Sequence, residues 1–86
     1  MLYRVALSKP AVHQFGKLDK PVQARLKPRI DALAQNPRPQ GVKKLAGEEE
    51  LYRLRVGDYR IVYQIQDKVL LVLVVKVGQR KEIYRR

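Results

Sequence analysis

Residues 52–65 read YRLRVGDYRIVYQI, two runs of β-branched, aromatic and basic residues on either side of Gly57 and Asp58. Runs of this composition are typical of strands, and a glycine–acid pair is typical of the two-residue turn of a hairpin. If this pair forms the turn, Arg55 lies directly opposite Arg60. The sequence therefore predicts an antiparallel hairpin whose register is fixed by its turn.

The predicted register also fixes which side chains share a face, because side chains alternate between the two faces of a strand. One face is apolar and aromatic and suits contact with helices: Tyr52, Leu54, Val56, Tyr59, Ile61 and Tyr63. The opposite face carries Arg53, Arg55, Arg60 and Gln64. We call its three arginines the arginine cluster.

The arginine cluster is unfavourable for the sheet itself. Like charges directly opposite each other destabilise a strand pair, by up to roughly 1 kcal/mol. Guanidinium groups bind phosphate in a planar, bidentate manner, so the cluster indicates a phosphate-bearing ligand. The alternative is a solvated basic surface that binds nothing.

One strand and two helices are predicted before the hairpin. Residues 2–7 form the strand, Ser8 caps the first helix, and Gly16 ends it. A second helix begins after Asp19. Its apolar stripe, at spacings of four, four and three, comprises Val22, Leu26, Ile30 and Leu33. Pro28 lies inside this helix and is expected to kink or split it.

After the hairpin, residues 69–77 (VLLVLVVKV) predict a further strand. It is apolar on both faces over most of its length, as expected for a central strand. Whether residues 42–45 add another strand is open. The order of elements predicts one α+β domain over residues 1–86, with two N-terminal helices packed on a small antiparallel sheet.

The charge balance points to a polyanionic partner. The 86 residues include 19 Lys and Arg against 8 Asp and Glu, a formal net charge of +11. Such a charge is self-repulsive in a small domain and suits nucleic acid, an acidic protein or a membrane surface. A basic protein without such a partner is the alternative.

Several classes of site and location are excluded by composition. The chain has no cysteine, which excludes disulfides and thiolate chemistry. His13 is the only histidine, and residues 48–50 (EEE) are typical of a solvated turn, so neither a metal nor a cofactor is expected. The sequence shows no signal peptide and no apolar run long enough for a bilayer. We expect a cytoplasmic protein without a membrane partner.

The C-terminal residues add two candidates. Gly78 permits a bend that brings Arg80 and Tyr84 over the face carrying the arginine cluster. Nearby positive charge favours the phenolate form of a tyrosine, so Tyr84 is a candidate base or stacking group for a nucleotide. The alternative is an ordinary packing aromatic.

The hairpin residues 52–63, followed by 77–80 (VGQR) and 83–84 (IY), resemble the RelE branch of the RelE/ParE toxin superfamily. Residues 36–39 (NPRP) and 44–47 (KLAG) resemble the family's connection between helix and sheet. The resemblance covers nearly the whole chain, and its specificity comes from several motifs that agree in order.

The resemblance implies a type II toxin with a RelE-like fold. It implies an endoribonuclease that needs no metal and cleaves messenger RNA in the ribosomal A site, by attack of the ribose 2′-hydroxyl on the phosphate. It also implies an antitoxin as partner, and operator DNA bound through the antitoxin complex.

By the same resemblance, each candidate residue has a role. Arg60 binds the phosphate, Arg80 stabilises the transition state, and Tyr84 orients the nucleotide and accepts the 2′-proton. The candidate RNA-binding cations are Lys43, Lys44 and Lys81. Arg53 and Arg55 stand where the best-known members carry lysine. Since arginine is effectively always charged, these two are poor bases, which leaves Tyr84, Lys81 or a ribosomal group.

Two other classes of function stay open. A ParE-like toxin shares the fold and acts on DNA gyrase, but such a protein does not need the arginine cluster with Arg80 and Tyr84. A module that binds nucleic acid or antitoxin without catalysis predicts effects on growth that survive mutation of Arg80 or Tyr84.

Overall fold

A computed structural model of the chain describes residues 2–45 and 50–79. In chain order, the elements are β1 (Arg4–Leu7), α1 (Lys9–Gly16), α2 (Lys20–Asp31), β2 (Lys43–Lys44), β3 (Leu51–Val56), β4 (Tyr59–Gln66) and β5 (Leu71–Gln79). Short 3₁₀ turns over Ala32–Ala34 and Asp67–Val69 follow α2 and β4. The α+β class is confirmed.

The five strands form one sheet in the order β1-β5-β4-β3-β2. Neighbours from β2 to β5 are antiparallel, whereas β1 pairs in parallel with β5. The prediction of a wholly antiparallel sheet is therefore wrong for this one pair. The two helices connect β1, at one edge of the sheet, to β2, at the other edge. The strands β2 to β5 then follow one another back across the sheet, so β5 lies beside β1 and runs in the same direction. Residues 43 and 44 also settle the open question, since they form a short edge strand.

The predicted hairpin register is confirmed. Val56 pairs with Tyr59, and Arg55 pairs with Arg60. Gly57 has φ +60°, and Asp58 is not among the residues with positive φ. A positive φ at the first turn residue alone is the pattern of a type II′ turn, which glycine adopts without steric cost and which matches the twist of the strands.

The helices pack on one face of the sheet, which we call the inner face. The buried core combines Ala11, Leu26, Ile30 and Leu33 with Tyr52, Leu54, Val56, Ile61, Tyr63, Ile65, Val72, Val74 and Val77. Tyr59 is half-buried against this core. The predicted apolar face of the hairpin is thus the inner face. The opposite face of the sheet is the outer face.

Ser8 caps α1 as the sequence predicts, whereas Asp19 precedes α2 without a side-chain cap hydrogen bond, and Pro28 does not split α2. The backbone N–H of Ala11 donates to Oγ of Ser8 at 3.2 Å, which confirms Ser8 as a cap. Helix α2 continues from Lys20 to Asp31 through Pro28. A proline removes the hydrogen bond to the carbonyl four residues earlier, here that of Ala24. Both residues are exposed, so water can hydrate the freed carbonyl.

Polar contacts tie three connections together at the end of β4 that lies away from the hairpin turn. The guanidinium of Arg38 contacts the carboxylate of Asp67, with Nη2 to Oδ2 at 2.9 Å, and the Tyr3 hydroxyl donates to the same carboxylate at 2.5 Å. Arg38 also lies over the ring of Tyr52, 5.3 Å from its centroid. The buried Tyr63 hydroxyl donates to the carbonyl of Pro37 at 2.7 Å.

No helix within residues 2–45 and 50–79 is both long and apolar enough to cross a membrane.

Candidate nucleic-acid interface

The arginine cluster lies on the outer face of the sheet. Strand β3 supplies Arg53 and Arg55, and β4 supplies Arg60. Arg55 is directly opposite Arg60, while Arg53 is opposite Val62 and so lies diagonally from Arg60. The structure therefore brings together the three arginines that the sequence predicts for one face.

Lys43 joins the cluster from the edge strand. It pairs with Arg53 across β2 and β3, and so shares the outer face. A pocket of about 210 Å³ is lined by Gly41, Lys43, Arg53, Arg55 and Arg60. We call it the cationic pocket. Four cationic side chains and one glycine form its described lining, and no described acid contributes to it.

Depth varies within the cationic pocket. Arg60 is 4% exposed, Arg53 is half-buried, and Arg55 is exposed. Nη1 of Arg60 is 3.4 Å from the carbonyl of Tyr59, and Nε of Arg55 is 3.4 Å from that of Gly57. A buried guanidinium and more exposed cations around it suit an anion that enters from solvent, because charge-assisted hydrogen bonds are stronger where water is excluded.

Lys44 is not part of the cationic pocket. It pairs with Tyr52, whose side chain is on the inner face, so Lys44 projects to the side opposite Lys43. Both lysines are exposed. Alternation along β2 therefore divides the two candidate RNA-binding residues between the two faces.

The remaining candidates, Arg80, Lys81 and Tyr84, lie outside the described residues. Strand β5 ends at Gln79, opposite Tyr59, and Gly78 lies opposite Arg60. In sequence, Arg80 thus comes two residues after the position beside Arg60.

Gly41 is a lining residue that sequence reasoning missed. Its φ of +91° lies in the region that favours glycine. The run from Pro39 to Gly41 indicates a turn, but the sequence does not show that this turn borders the arginine cluster. That contact exists because β2 pairs with β3.

The other polar residues considered in the sequence lie apart from the cationic pocket. His13 is exposed on α1, on the helical side. Glu50 accepts a hydrogen bond from the Tyr52 hydroxyl at 3.3 Å, while Glu48 and Glu49 lie outside the described residues. In the part of the chain that the structure describes, no three His, Asp or Glu side chains are grouped to hold a metal ion.

The perturbed ionisable groups are at the other end of β4. The hydrogen bond from Arg38 lowers the pKa of Asp67, and the hydrogen bond to Asp67 raises the pKa of Tyr3. Burial raises the pKa of Tyr63. These pKa shifts come from burial and from the contacts between the segments that connect the strands and helices.

Three comparisons place the chain among known proteins. The family model described as the ParE toxin of type II toxin–antitoxin systems matches residues 5–84. The mRNA interferase toxin RelE of Escherichia coli strain K12 is 33% identical, over 98% of this chain and 92% of the relative. These matches extend over nearly the whole chain.

Solved structures of RelE complexes are also similar to this chain. The archaeal RelE–RelB complex from Pyrococcus horikoshii OT3 matches with a TM-score of 0.81 and 34% identity, over 93% of this chain and 97% of that one. The intact RelBE toxin–antitoxin complex of E. coli matches with a TM-score of 0.80 and 29% identity, over 90% and 95%. The chain therefore belongs to the ParE toxin family of type II toxin–antitoxin systems, and within that family it is a RelE-type toxin.

Proposed function

We propose that this toxin is an endoribonuclease that cuts messenger RNA in the ribosomal A site without a metal ion. The observation that carries the proposal is the cationic pocket, in which three arginines and Lys43 converge on a space large enough for a phosphate group. The similarity to a protein named mRNA interferase supports the same chemistry.

The proposed reaction is an in-line transfer within the RNA. The ribose 2′-oxygen forms a bond to the neighbouring phosphorus as the bond from phosphorus to the 5′-oxygen breaks. The products are a 2′,3′-cyclic phosphate and a free 5′-hydroxyl. The 2′-hydroxyl gives its proton to a base, and the leaving 5′-oxygen accepts one from an acid. Negative charge grows on the phosphate oxygens, so fixed cations lower the barrier.

The described residues supply the cations of this scheme. Arg60 holds the phosphate at the base of the pocket, and Arg53 and Arg55 neutralise the charge that develops. An arginine cannot act as the base because it does not lose its proton in proteins. We assign transition-state stabilisation to Arg80 and acceptance of the 2′-proton to Tyr84, with Lys81 as the alternative base. Lys43 contacts the RNA backbone at the cationic pocket, and Lys44 contacts it from the other face of the edge strand β2.

The proposed partners follow from the relatives. The similar E. coli structure is a toxin–antitoxin complex and the P. horikoshii structure is a RelE–RelB complex, and we propose that a cognate antitoxin covers the basic surface of this chain. Operator DNA is then contacted through the antitoxin complex. The proposed site of action is the cytoplasm, where messenger RNA is translated.

The test is induction of the toxin in cells followed by mapping of messenger RNA 5′ ends. We expect new 5′-hydroxyl ends within translated regions, in phase with the reading frame. Cuts that are equally frequent in untranslated RNA would show a nuclease that does not depend on the ribosome. Growth arrest with no new ends at all would contradict the endoribonuclease.

One observation favours a second candidate, namely that the matching family model is that of the ParE toxin. A ParE-like toxin acting on DNA gyrase predicts inhibition of supercoiling by the purified protein. It also predicts that replacing Arg60 leaves toxicity unchanged, because the cationic pocket then has no role.

A further inference from the structure

The tip of the hairpin is in contact with a cation from the helical layer. A Cβ atom built on Gly57 would lie 2.7 Å from Nη2 of Arg25, which projects from α2. On the other side of the turn, Nε of Arg55 is 3.4 Å from the carbonyl of Gly57. The type II′ turn therefore lies between a guanidinium of the cationic pocket and one of the helix.

Arg29 extends this charge along α2. It follows Arg25 by four residues, about one helical turn or 6 Å, and lines a pocket of about 290 Å³ whose lining also includes Leu54 and Pro39. Both arginines are exposed. We call Arg25 and Arg29 the helix flank.

The helix flank is not neutralised by the described residues. The ion pairs within residues 2–45 and 50–79 involve Lys27 with Asp31, and Arg38 with Glu50 and Asp67. Lys27 is roughly 200° around the helix axis from Arg25, so one side of α2 carries an ion pair and the other carries two like charges one turn apart. Like charges at this spacing destabilise a helix.

We propose that the helix flank binds phosphates of the same RNA chain that occupies the cationic pocket, so that the RNA passes around the hairpin tip. This inference rests on the proposed function and deepens it. The path is short: β3 rises about 13 Å from Arg53 to Gly57, and Arg25 meets the turn there. Guanidinium groups on both sides of the tip favour one bound strand over two separate ligands.

The contact with Arg25 also explains why residue 57 is a glycine. A side chain at residue 57 would displace the Arg25 guanidinium from the turn. Asp58, the acid at the tip, is exposed and makes no ion pair with a described cation. The guanidinium groups of Arg25 and Arg55, beside the turn, are therefore available to phosphate.

The test compares two double variants that lose the same charge. Arg25→Gln/Arg29→Gln removes the helix flank. Lys27→Gln/Lys68→Gln removes one lysine from the other side of α2 and one from the turn beyond β4, at the end of the sheet away from the hairpin tip. Binding to 2′-O-methyl uridylates of four and twelve nucleotides is measured by fluorescence anisotropy over a salt series. These probes cannot be cleaved because they lack the attacking hydroxyl.

We expect the helix-flank variant to bind the twelve-nucleotide probe at least about tenfold more weakly at low salt. Its slope of log K against log salt should fall by about 1.4, the value for two phosphate contacts on a single strand. The four-nucleotide probe, held by the cationic pocket, should bind both variants as it binds the unmodified protein.

Three outcomes overturn the proposal. If both double variants weaken RNA binding equally, the effect is one of general charge. If the helix-flank variant weakens the binding of both probes equally, its arginines contact RNA within the cationic pocket. A lower thermal midpoint with an unchanged salt slope shows that Arg25 only packs against the turn. Because binding is measured without cleavage, loss of the proposed ribonuclease activity would not remove the RNA path, and the two results are separable.

Discussion

Arg38 and Asp67 are 29 residues apart in sequence and meet through two pairs of atoms, Nη2 to Oδ2 at 2.9 Å and Nη1 to Oδ1 at 3.4 Å. The Tyr3 hydroxyl donates to the same carboxylate. One acid thus joins the segment before β1, the connection after α2 and the turn after β4. The contact joins these three segments at the end of the sheet that lies away from the β3–β4 turn.

Asp67→Asn is expected to destabilise the fold. The substitution removes the charge that faces Arg38 and weakens the acceptor for Tyr3. Since the two side chains of the ion pair are 41% and 50% exposed, solvent screens it and the effect is modest. We expect a fall of a few degrees in the thermal midpoint, measured by circular dichroism. Asp58→Asn, at an exposed acid, should leave the midpoint unchanged; an equal fall in both would show that net charge is responsible.

The same acid predicts a pH dependence. Arg38 holds the pKa of Asp67 below its ordinary value in the folded protein, whereas in the unfolded chain it is about 3.9. The stabilisation is therefore complete above about pH 4 and is lost as the pH falls through the folded pKa. The midpoints of the unmodified protein and Asp67→Asn should differ by a constant amount between pH 5 and 7 and converge below pH 4. A gap that does not narrow at all as the pH is lowered from 5 would contradict this assignment.

Arg60→Gln is expected to abolish most cleavage. Removing one fixed donor that stabilises developing charge costs on the order of 10²–10³ in rate. Arg60→Lys keeps the charge but not the planar pair of donors, so an intermediate loss is expected. Rates are measured on messenger RNA in a translating extract, with Lys68→Gln as the control of equal charge. Since Arg60 is buried, thermal unfolding must show that each variant is folded; a folded Arg60→Gln protein of full activity would remove Arg60 from the site.

Gly57→Ala should destabilise the hairpin. An alanine at φ +60° adopts a left-handed conformation that costs about 1–2 kcal/mol, and its Cβ would displace Arg25. Gly16→Ala is the matched control, because φ there is not positive and no atom lies within 4 Å of the added Cβ. Urea unfolding should show a loss for Gly57→Ala and no loss for Gly16→Ala. Equal stabilities would mean that the turn does not hold residue 57 in this conformation.

Arg80→Ala and Tyr84→Phe are expected to relieve growth inhibition without unfolding the protein. The proposed roles of both residues are chemical, so their removal should lower cleavage while the thermal midpoint stays the same. Cleavage is followed by 5′-end mapping after induction, with Lys9→Gln on the exposed start of α1 as control. Undiminished cleavage in both folded variants would refute the assignment of these two residues.

Sequence reasoning was sufficient for the hairpin because the determinants there are local. A two-residue turn with glycine first, and strict alternation on either side, fix the pairing of Arg55 with Arg60. The arginine cluster follows from that register alone. Ser8 as a cap is local in the same sense, because its acceptor and the Ala11 donor are three residues apart.

The rest depends on contacts between distant segments. Lys43 reaches the cationic pocket because β2 pairs with β3, and a two-residue strand leaves almost no pattern in the sequence. Arg25 reaches Gly57 only through the packing of α2 on the sheet. Pro28 is tolerated because it faces solvent, a fact that its position in the apolar pattern did not reveal.

The parallel pairing of β1 with β5 has a consequence for how the toxin is made. Arg4 pairs with Leu71 and Leu7 with Val74, so β1 has no partner strand until residues 71–74 have been synthesised. The core that supports the cationic pocket needs β5 between β1 and β4, and such non-local pairing is slow because a long loop must close first. The described core therefore forms only once β5 has been synthesised, so the cationic pocket is assembled after every residue that lines it has already been made.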